Sequence, residues 1–173
     1  MSSLQIRPAQ PADAARVARL YRQAYGSAAD LGFPSRMTEI DAETVGDWLE
    51  ADARTLLAFE SDGARNVNET GDSNTSDEYR LVGTVRLLEE SEEPYLERLA
   101  VRPDRQGEGI ASTLVDRMER YARNHGYDCI QLTTFDDHPF LLEWYRERGY
   151  EPIKHHDRPE RSYDFVTMEK ALE

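Results

Sequence analysis

The hydrophobic positions of this chain change period several times, and each change marks a candidate element. Leu4 to Arg7 alternates apolar and polar before Pro8 and Pro11, which predicts a short first strand. Behind a Pro11-Ala-Asp start, Ala14, Val17, Ala18, Leu20, Tyr21 and Ala24 recur at helical spacing, with Gly26 as the expected stop. Ser27 to Met37, holding Gly32 and Pro34, reads as loop. A second helix fits Asp41 to Ala53 around Val45, Trp48 and Leu49, with Trp48 lining the core or a cleft. Thr55 to Phe59 and Leu81 to Leu88 are compact apolar strands, and Gly83 inside the second predicts a bulge or a close backbone approach. Between them, about 61–79 is polar and acidic with few large apolar residues, which predicts a long hairpin loop.

The second half is denser in apolar positions. Pro94 to Val101 reads as a strand, followed by a basic, glycine-bearing turn from Arg102 to Gly109 and a helix that runs to Gly126. Ile110, Leu114, Val115, Met118, Tyr121 and Ala122 form that helix's apolar stripe. Asp128 to Thr133 is a further strand, and His138 to Arg148 a helix with Pro139 in its first turn and Gly149 at its end. Tyr150 to Lys154 and Tyr163 to Met168 close the chain as two strands joined by a polar loop. With no internal repeat and no linker, the expectation is one domain over residues 1–173. Its class is α/β of the α+β type, with helices covering a largely antiparallel sheet.

Composition narrows the partners. Acidic residues outnumber basic ones by 34 to 21, for a formal net charge of −13, and Lys154 and Lys170 are the only lysines. Such a field disfavours nucleic acid and anionic membranes and favours cationic acceptors such as amines; it also suits a protein of a high-salt cytoplasm. No apolar run approaches a membrane span, and MSSLQIRPAQ has no apolar signal region, so the expected location is cytoplasmic. A single cysteine, Cys129 in the apolar run CIQL, is expected to be a buried, inert thiol. His155-His156-Asp157 looks like a metal cluster, but in a polar loop without spaced partners it reads as solvated, so no metal is expected.

A strand feeding a glycine turn into a helix start is a ready anion site, because the first helical N–H groups have no intrahelical partner. Gln106-Gly107-Glu108-Gly109-Ile110-Ala111 fits Gln/Arg-x-x-Gly-x-Gly/Ala. The two glycines let a phosphate approach the backbone, and Ala111 keeps the first turn slim. No Lys-Ser/Thr pair follows, against a nucleoside-triphosphate loop, and the third glycine of a dinucleotide fingerprint is missing.

The stretch LERLAVRPDRQGEGIASTLVDRMERYA resembles motif A of the GNAT superfamily of acetyl-CoA-dependent N-acetyltransferases, and HPFLLEWYRERGYEP is similar to its second signature. The resemblance implies a mixed, mostly antiparallel sheet of about six to seven strands covered by about four helices, splayed at the cofactor cleft. It implies acetyl-CoA as co-substrate, with Leu99, Ala100 and Val101 on the pantetheine arm. The pyrophosphate then falls to the turn Arg105, Gln106, Gly107, Glu108, Gly109, Ile110, Ala111 and Ser112. His138 stands where many members carry a cofactor-contacting Asn; a helix N-cap is its other reading, and Asp136 and Asp137 beside it could receive an amine.

Transfer is then direct, from acetyl-CoA to a primary amine of a small molecule or protein, without metal. The resemblance puts Tyr145 where many members have a tyrosine that protonates the departing thiolate, which a phenol of unperturbed pKa near 10 can do. Glu97 is the leading general base: strict alternation sets it on the face of Leu99 and Val101, away from Leu96 and Arg98, although an Arg-paired glutamate is its other reading. Acceptor choice is expected from about Tyr21 to Trp48 and the closing strands. Homodimers are common in the family. The rival readings are a non-catalytic acyl-CoA sensor or interaction module of the same fold, and a nucleotide-binding protein using the same turn.

Overall fold

Near the N-terminus the structure follows the predicted periodicity and departs from it at Gly26 and at the end of the second helix. A computed structural model of the protein describes residues 4–30, 36–50, 53–61, 79–89, 93–135, 141–157, 159 and 164–172. Strand β1 (Leu4–Pro8) leads through a tight turn at Pro11–Asp13 into α1 (Ala14–Asp30). Asp13 is buried there, accepting two hydrogen bonds from Arg7 at 2.9 Å and one from the Gln10 N–H at 2.8 Å. Gly26 does not stop α1, because its backbone never enters the left-handed region that ends a helix; 27–30 are helical rather than loop. Arg36–Glu39 adds a single helical turn. Helix α2 (Ala42–Glu50) starts at Asp41, whose Oδ1 accepts the Thr44 N–H at 2.8 Å, and it ends short of Ala53. Ala53 instead opens β2 (Ala53–Ser61), which pairs with β3 (Tyr79–Leu88). Most of the expected hairpin loop lies outside the described residues.

The described strands form one sheet in the order β1-β2-β3-β4-β5-β7-β6, where β4 is Tyr95–Val101, β5 Cys129–Phe135, β6 Glu151–His156 and β7 Phe165–Ala171. Every neighbouring pair is antiparallel except β4 and β5. Helix α3 (Ile110–Asn124) and α4 (Leu141–Glu147) cover one face, and α1 and α2 cover the other. Leu114, Val115, Met118 and Ala122 are fully sealed under α3, and each large apolar side chain so buried contributes about 1.5–3 kcal/mol. Tyr121, counted in that stripe, is only half-buried, while Glu119 is buried and hydrogen-bonded to Tyr150 at 2.9 Å and Lys170 at 2.8 Å.

Both predicted glycine stops hold. Gly126 and Gly149 have φ of 86° and 98°, and the next residues reach back, Tyr127 to Ala122 and Tyr150 to Tyr145, each at 3.1 Å. Gly83 meets both halves of its expectation. The β2–β3 register slips beside it, and a Cβ at Gly83 would lie 2.8 Å from Ile110 Cγ2 and 2.9 Å from Leu114 Cδ1. Its missing side chain lets the start of α3 sit on the sheet. No helix among the described residues is long and apolar enough to cross a membrane.

Candidate functional site

Strand β4 holds its neighbours unequally. It pairs with β3 along most of its length, but with β5 only at Tyr95–Gln131 and Leu96–Leu132. Beyond Leu96 the two parallel strands part, so the β5-facing edge from Glu97 to Val101 has no strand partner among the described residues. The departure coincides with a bulge: Thr84 pairs with Ala100 and Arg86 with Glu97, leaving Arg98 and Leu99 opposite the single Val85. Arg98 adopts φ 53°, uncommon outside glycine. An extra residue frees backbone groups from the ladder at the mouth of the gap, and unpaired N–H groups are donors for an acyl oxygen.

The bulge corrects the face assigned to Glu97. Leu96 and Val101 join the core under α3, with Leu99 packed against it, whereas Ala100 belongs to the α1–α2 side. The extra residue reverses the alternation, so Glu97 shares its side with Arg98 and Ala100 rather than Leu99 and Val101. There Glu97 Oε1 accepts from Arg86 Nη1 at 3.1 Å and lies 3.4 Å from Arg98 Nε. The Arg98 guanidinium stacks 4.1 Å from the Trp48 ring centroid, with Arg86 at 5.6 Å from it. Trp48 therefore lines this cluster, together with Tyr21, whose ring centroid lies 6.2 Å away.

Tyr145 is buried on α4, edge-on to Trp144 at 5.0 Å and to Tyr150 at 5.6 Å. Burial, then the neighbouring Tyr25 phenol, drives its pKa well above the ordinary tyrosine value, with Arg148 partly offsetting them. The phenol therefore stays protonated at neutral pH, as an ordinary tyrosine does, and burial makes it the weaker acid of the two. Burial also pushes Tyr25 up to about 12, with Arg98 opposing and Glu97 adding to the shift. Tyr25 thus feels the charges of Arg98 and Glu97 and bears in turn on Tyr145.

The glycine turn has the expected backbone. Gly107 and Gly109 take φ of 86° and 87°, and Gly109 caps α3 with no side-chain cap bond, leaving the first N–H groups of the helix for a ligand. The expected positive charge, however, is locally cancelled. Arg105 Nε donates to Glu60 at 2.7 Å and lies 3.8 Å from Glu108, while Arg102 Nε donates to Asp104 at 3.1 Å. Gln106 turns back to the Val101 carbonyl at 3.4 Å. Arg148, which periodicity and motif did not single out, comes from the end of α4 and donates to the Ser112 hydroxyl in the first turn of α3. Its signal was spacing, since Arg148 follows Tyr145 by three residues and Trp144 by four, and it stacks 4.2 Å from the Trp144 ring.

His138, Asp136 and Asp137 lie outside the described residues. Cys129 is half-buried rather than buried, with Sγ 3.7 Å from Glu169; desolvation and that carboxylate push the thiol up and keep it protonated. His155 is half exposed, 3.5 Å from Asp157 and 3.3 Å from Asp164, and these three donors lie within 4.8 Å of one another. His156 instead pairs with Thr167 at 2.8 Å.

Residues 33–150 match the model of the acetyltransferase (GNAT) family. No curated protein matches the chain. Among solved structures, the ribosomal-protein-S18-alanine N-acetyltransferase of Escherichia coli is similar at 13% identity and TM-score 0.71, covering 98% of this chain and 94% of that one. The PaiA N-acetyltransferase of Thermoplasma acidophilum, in complex with coenzyme A, is similar at 18% identity and TM-score 0.66, covering 98% and 99%. YncA of Salmonella typhimurium, with its cofactor acetyl-CoA, is similar at 16% identity and TM-score 0.71, covering 99% and 95%. At these identities the likeness is one of fold.

Proposed function

We infer the division of labour in this site from one premise: this chain belongs to the acetyltransferase (GNAT) family. It is accordingly an acetyl-CoA-dependent N-acetyltransferase. The observation that carries the residue assignments is the parting of β4 from β5 at the Arg98 bulge. The gap opens beside an edge of β4 whose backbone groups no strand among the described residues uses.

In this reading the N–H groups from Gly107 to Ser112 hold the pyrophosphate, aided by Arg148, and the free edge of Leu99, Ala100 and Val101 holds the pantetheine arm. A neutral primary amine attacks the thioester carbon, and an N–H freed at the bulge stabilises the oxyanion. As the carbon–sulfur bond breaks, the buried Tyr145 phenol gives its proton to the departing sulfur. Glu97 was the leading base, but its Oε1 accepts from Arg86 Nη1 and lies beside Arg98 Nε, which is the arginine-paired alternative. We therefore assign it to positioning Arg86 and Arg98, with the ammonium proton leaving to water. No step uses a metal. Acetyl-CoA supply favours a cytoplasmic setting.

Incubation with acetyl-CoA and a panel of primary amines, followed through free CoA, tests this. Amine-dependent release is expected, and Tyr145→Phe should lower turnover by about 100-fold or more while acetyl-CoA affinity stays within about 2-fold. Tight acetyl-CoA binding with no amine-dependent release would return the chain to the sensor reading.

A further inference from the structure

The chain carries a formal charge of −13, yet two arginines, Arg86 and Arg98, meet at Glu97 on the α1–α2 side of the sheet. Arg86 and Arg98 face one carboxylate, Glu97, leaving one guanidinium charge in excess. Among the described residues these are the charged groups that bear on Tyr21 and, for Arg98 and Glu97, on Tyr25. Glu97 makes its hydrogen bond to Arg86, which is buried. Arg98 is less well served. Its hydrogen-bond acceptor among the described residues is the Met37 sulfur at 3.0 Å, a weak acceptor, and its Nε is sealed from solvent with no hydrogen-bond partner.

A sealed guanidinium N–H without a hydrogen-bond partner and a non-glycine residue at positive φ are each unfavourable. Arg98 has both features. It is nevertheless held in place: Trp48 stacks on its plane at 4.1 Å, Glu97 lies 3.4 Å from its Nε, and the side chain keeps 27% of its surface exposed. A flat cation, fixed by stacking, whose hydrogen-bond acceptor among the described residues is a sulfur, can take a carboxylate on its terminal nitrogens, the sealed Nε lying out of a ligand's reach. Arg98 is itself a bulge residue of β4, just beyond the last β4–β5 pair at Leu96, so a ligand bound at its guanidinium has its other end near the thioester gap.

We propose that the acceptor is a small amino acid-like molecule, whose carboxylate is received by Arg98 and whose amine is thereby presented at the gap between β4 and β5. The proposal rests on the transferase reading and deepens it. It replaces the cationic acceptors that net charge alone favours with a zwitterionic one. Polyamines and protein lysines lack the carboxylate, and Arg98 discriminates against them.

The test is a panel of L-amino acids, their amides and their decarboxylated amines, each supplied with acetyl-CoA and followed by CoA release. At least one amino acid should exceed its own amide and amine in kcat/KM by about 100-fold or more. Arg98→Gln should compress that ratio to within about 5-fold without changing acetyl-CoA affinity. Turnover of polyamines or lysine peptides with no amino acid preference overturns this proposal and leaves the transferase reading intact. If no amine releases CoA from a protein that binds acetyl-CoA, the transferase reading fails instead. A second measurement, calorimetry of N-acetyl-amino acids against their amides on the CoA-loaded protein, then decides the carboxylate site. Binding at least about 10-fold tighter for the acid upholds it, and equal binding overturns it. Because that comparison uses the unaltered protein, misfolding of the variant does not blunt it.

Discussion

Arg148 and Arg105 are both arginines near the start of α3, and their surroundings give them different value. Arg105 is committed to Glu60 at 2.7 Å with Glu108 and Asp104 close by, so an incoming phosphate competes with carboxylates already in place. Arg148 binds a neutral hydroxyl, Ser112, and its nearest carboxylate among the described residues is the exposed Asp116 at 3.9 Å. A charge-assisted hydrogen bond to a phosphate is therefore cheap for Arg148 to make and costly for Arg105. Arg148→Ala should raise the acetyl-CoA Kd by about 10-fold, near 1.4 kcal/mol, while Arg105→Ala should change it by less than about 3-fold. Calorimetry of both variants at one salt concentration decides, and equal losses would restore the motif-based role of Arg105. The motif names positions by spacing; it carries no record of which carboxylates the fold brings beside them.

At the scale of elements, most of the fold could be read because helix and strand periods are local. The order of elements, the glycine ends of α3 and α4 and the close approach at Gly83 all followed from short spacings. What escaped were features decided by partners distant in sequence. Gly26 lies within a helix packed on α2 and the sheet, and no local rule separates it from a stop. The β4 bulge did leave a trace: Leu96, Leu99 and Val101 are spaced three and then two, so one-residue alternation cannot put all three on a face. Taking strict alternation there misplaced Glu97. Gly83 offers the sharpest test of how the elements fit. Gly83→Ala sets a methyl 2.8 Å from Ile110 and 2.9 Å from Leu114, so α3 must lift at the end that carries the anion site. Overpacking of this kind costs about 1–3 kcal/mol. Thermal unfolding should show that loss, and acetyl-CoA affinity should fall with it. Full stability with full affinity would mean that the helix start is not seated by this contact.

For the whole molecule the question is which electrostatic effect dominates, since attraction inside and repulsion outside respond oppositely to salt. The net charge of −13 is spread over a surface whose basic residues are nearly all arginines, some of them already paired. Two unpaired like charges about 10 Å apart repel by about 0.4 kcal/mol in water, and salt near 1 M shortens the screening length to about 3 Å. Exposed pairs such as Arg102–Asp104 lose at most about 1 kcal/mol each to the same screening. The sealed contacts, Arg7–Asp13 and Glu119–Lys170, have one partner at 6% and 3% exposure and are screened far less. With so many unpaired carboxylates, relief of repulsion should exceed the loss of exposed pairs by about 2 kcal/mol, which for a domain of this size is about 4–8 °C. Raising KCl from about 0.1 to about 1 M should therefore lift Tm by that amount. A flat or falling Tm would show that the paired arginines, rather than the excess carboxylates, govern the response. The acidic surface would then have to be explained by solubility alone.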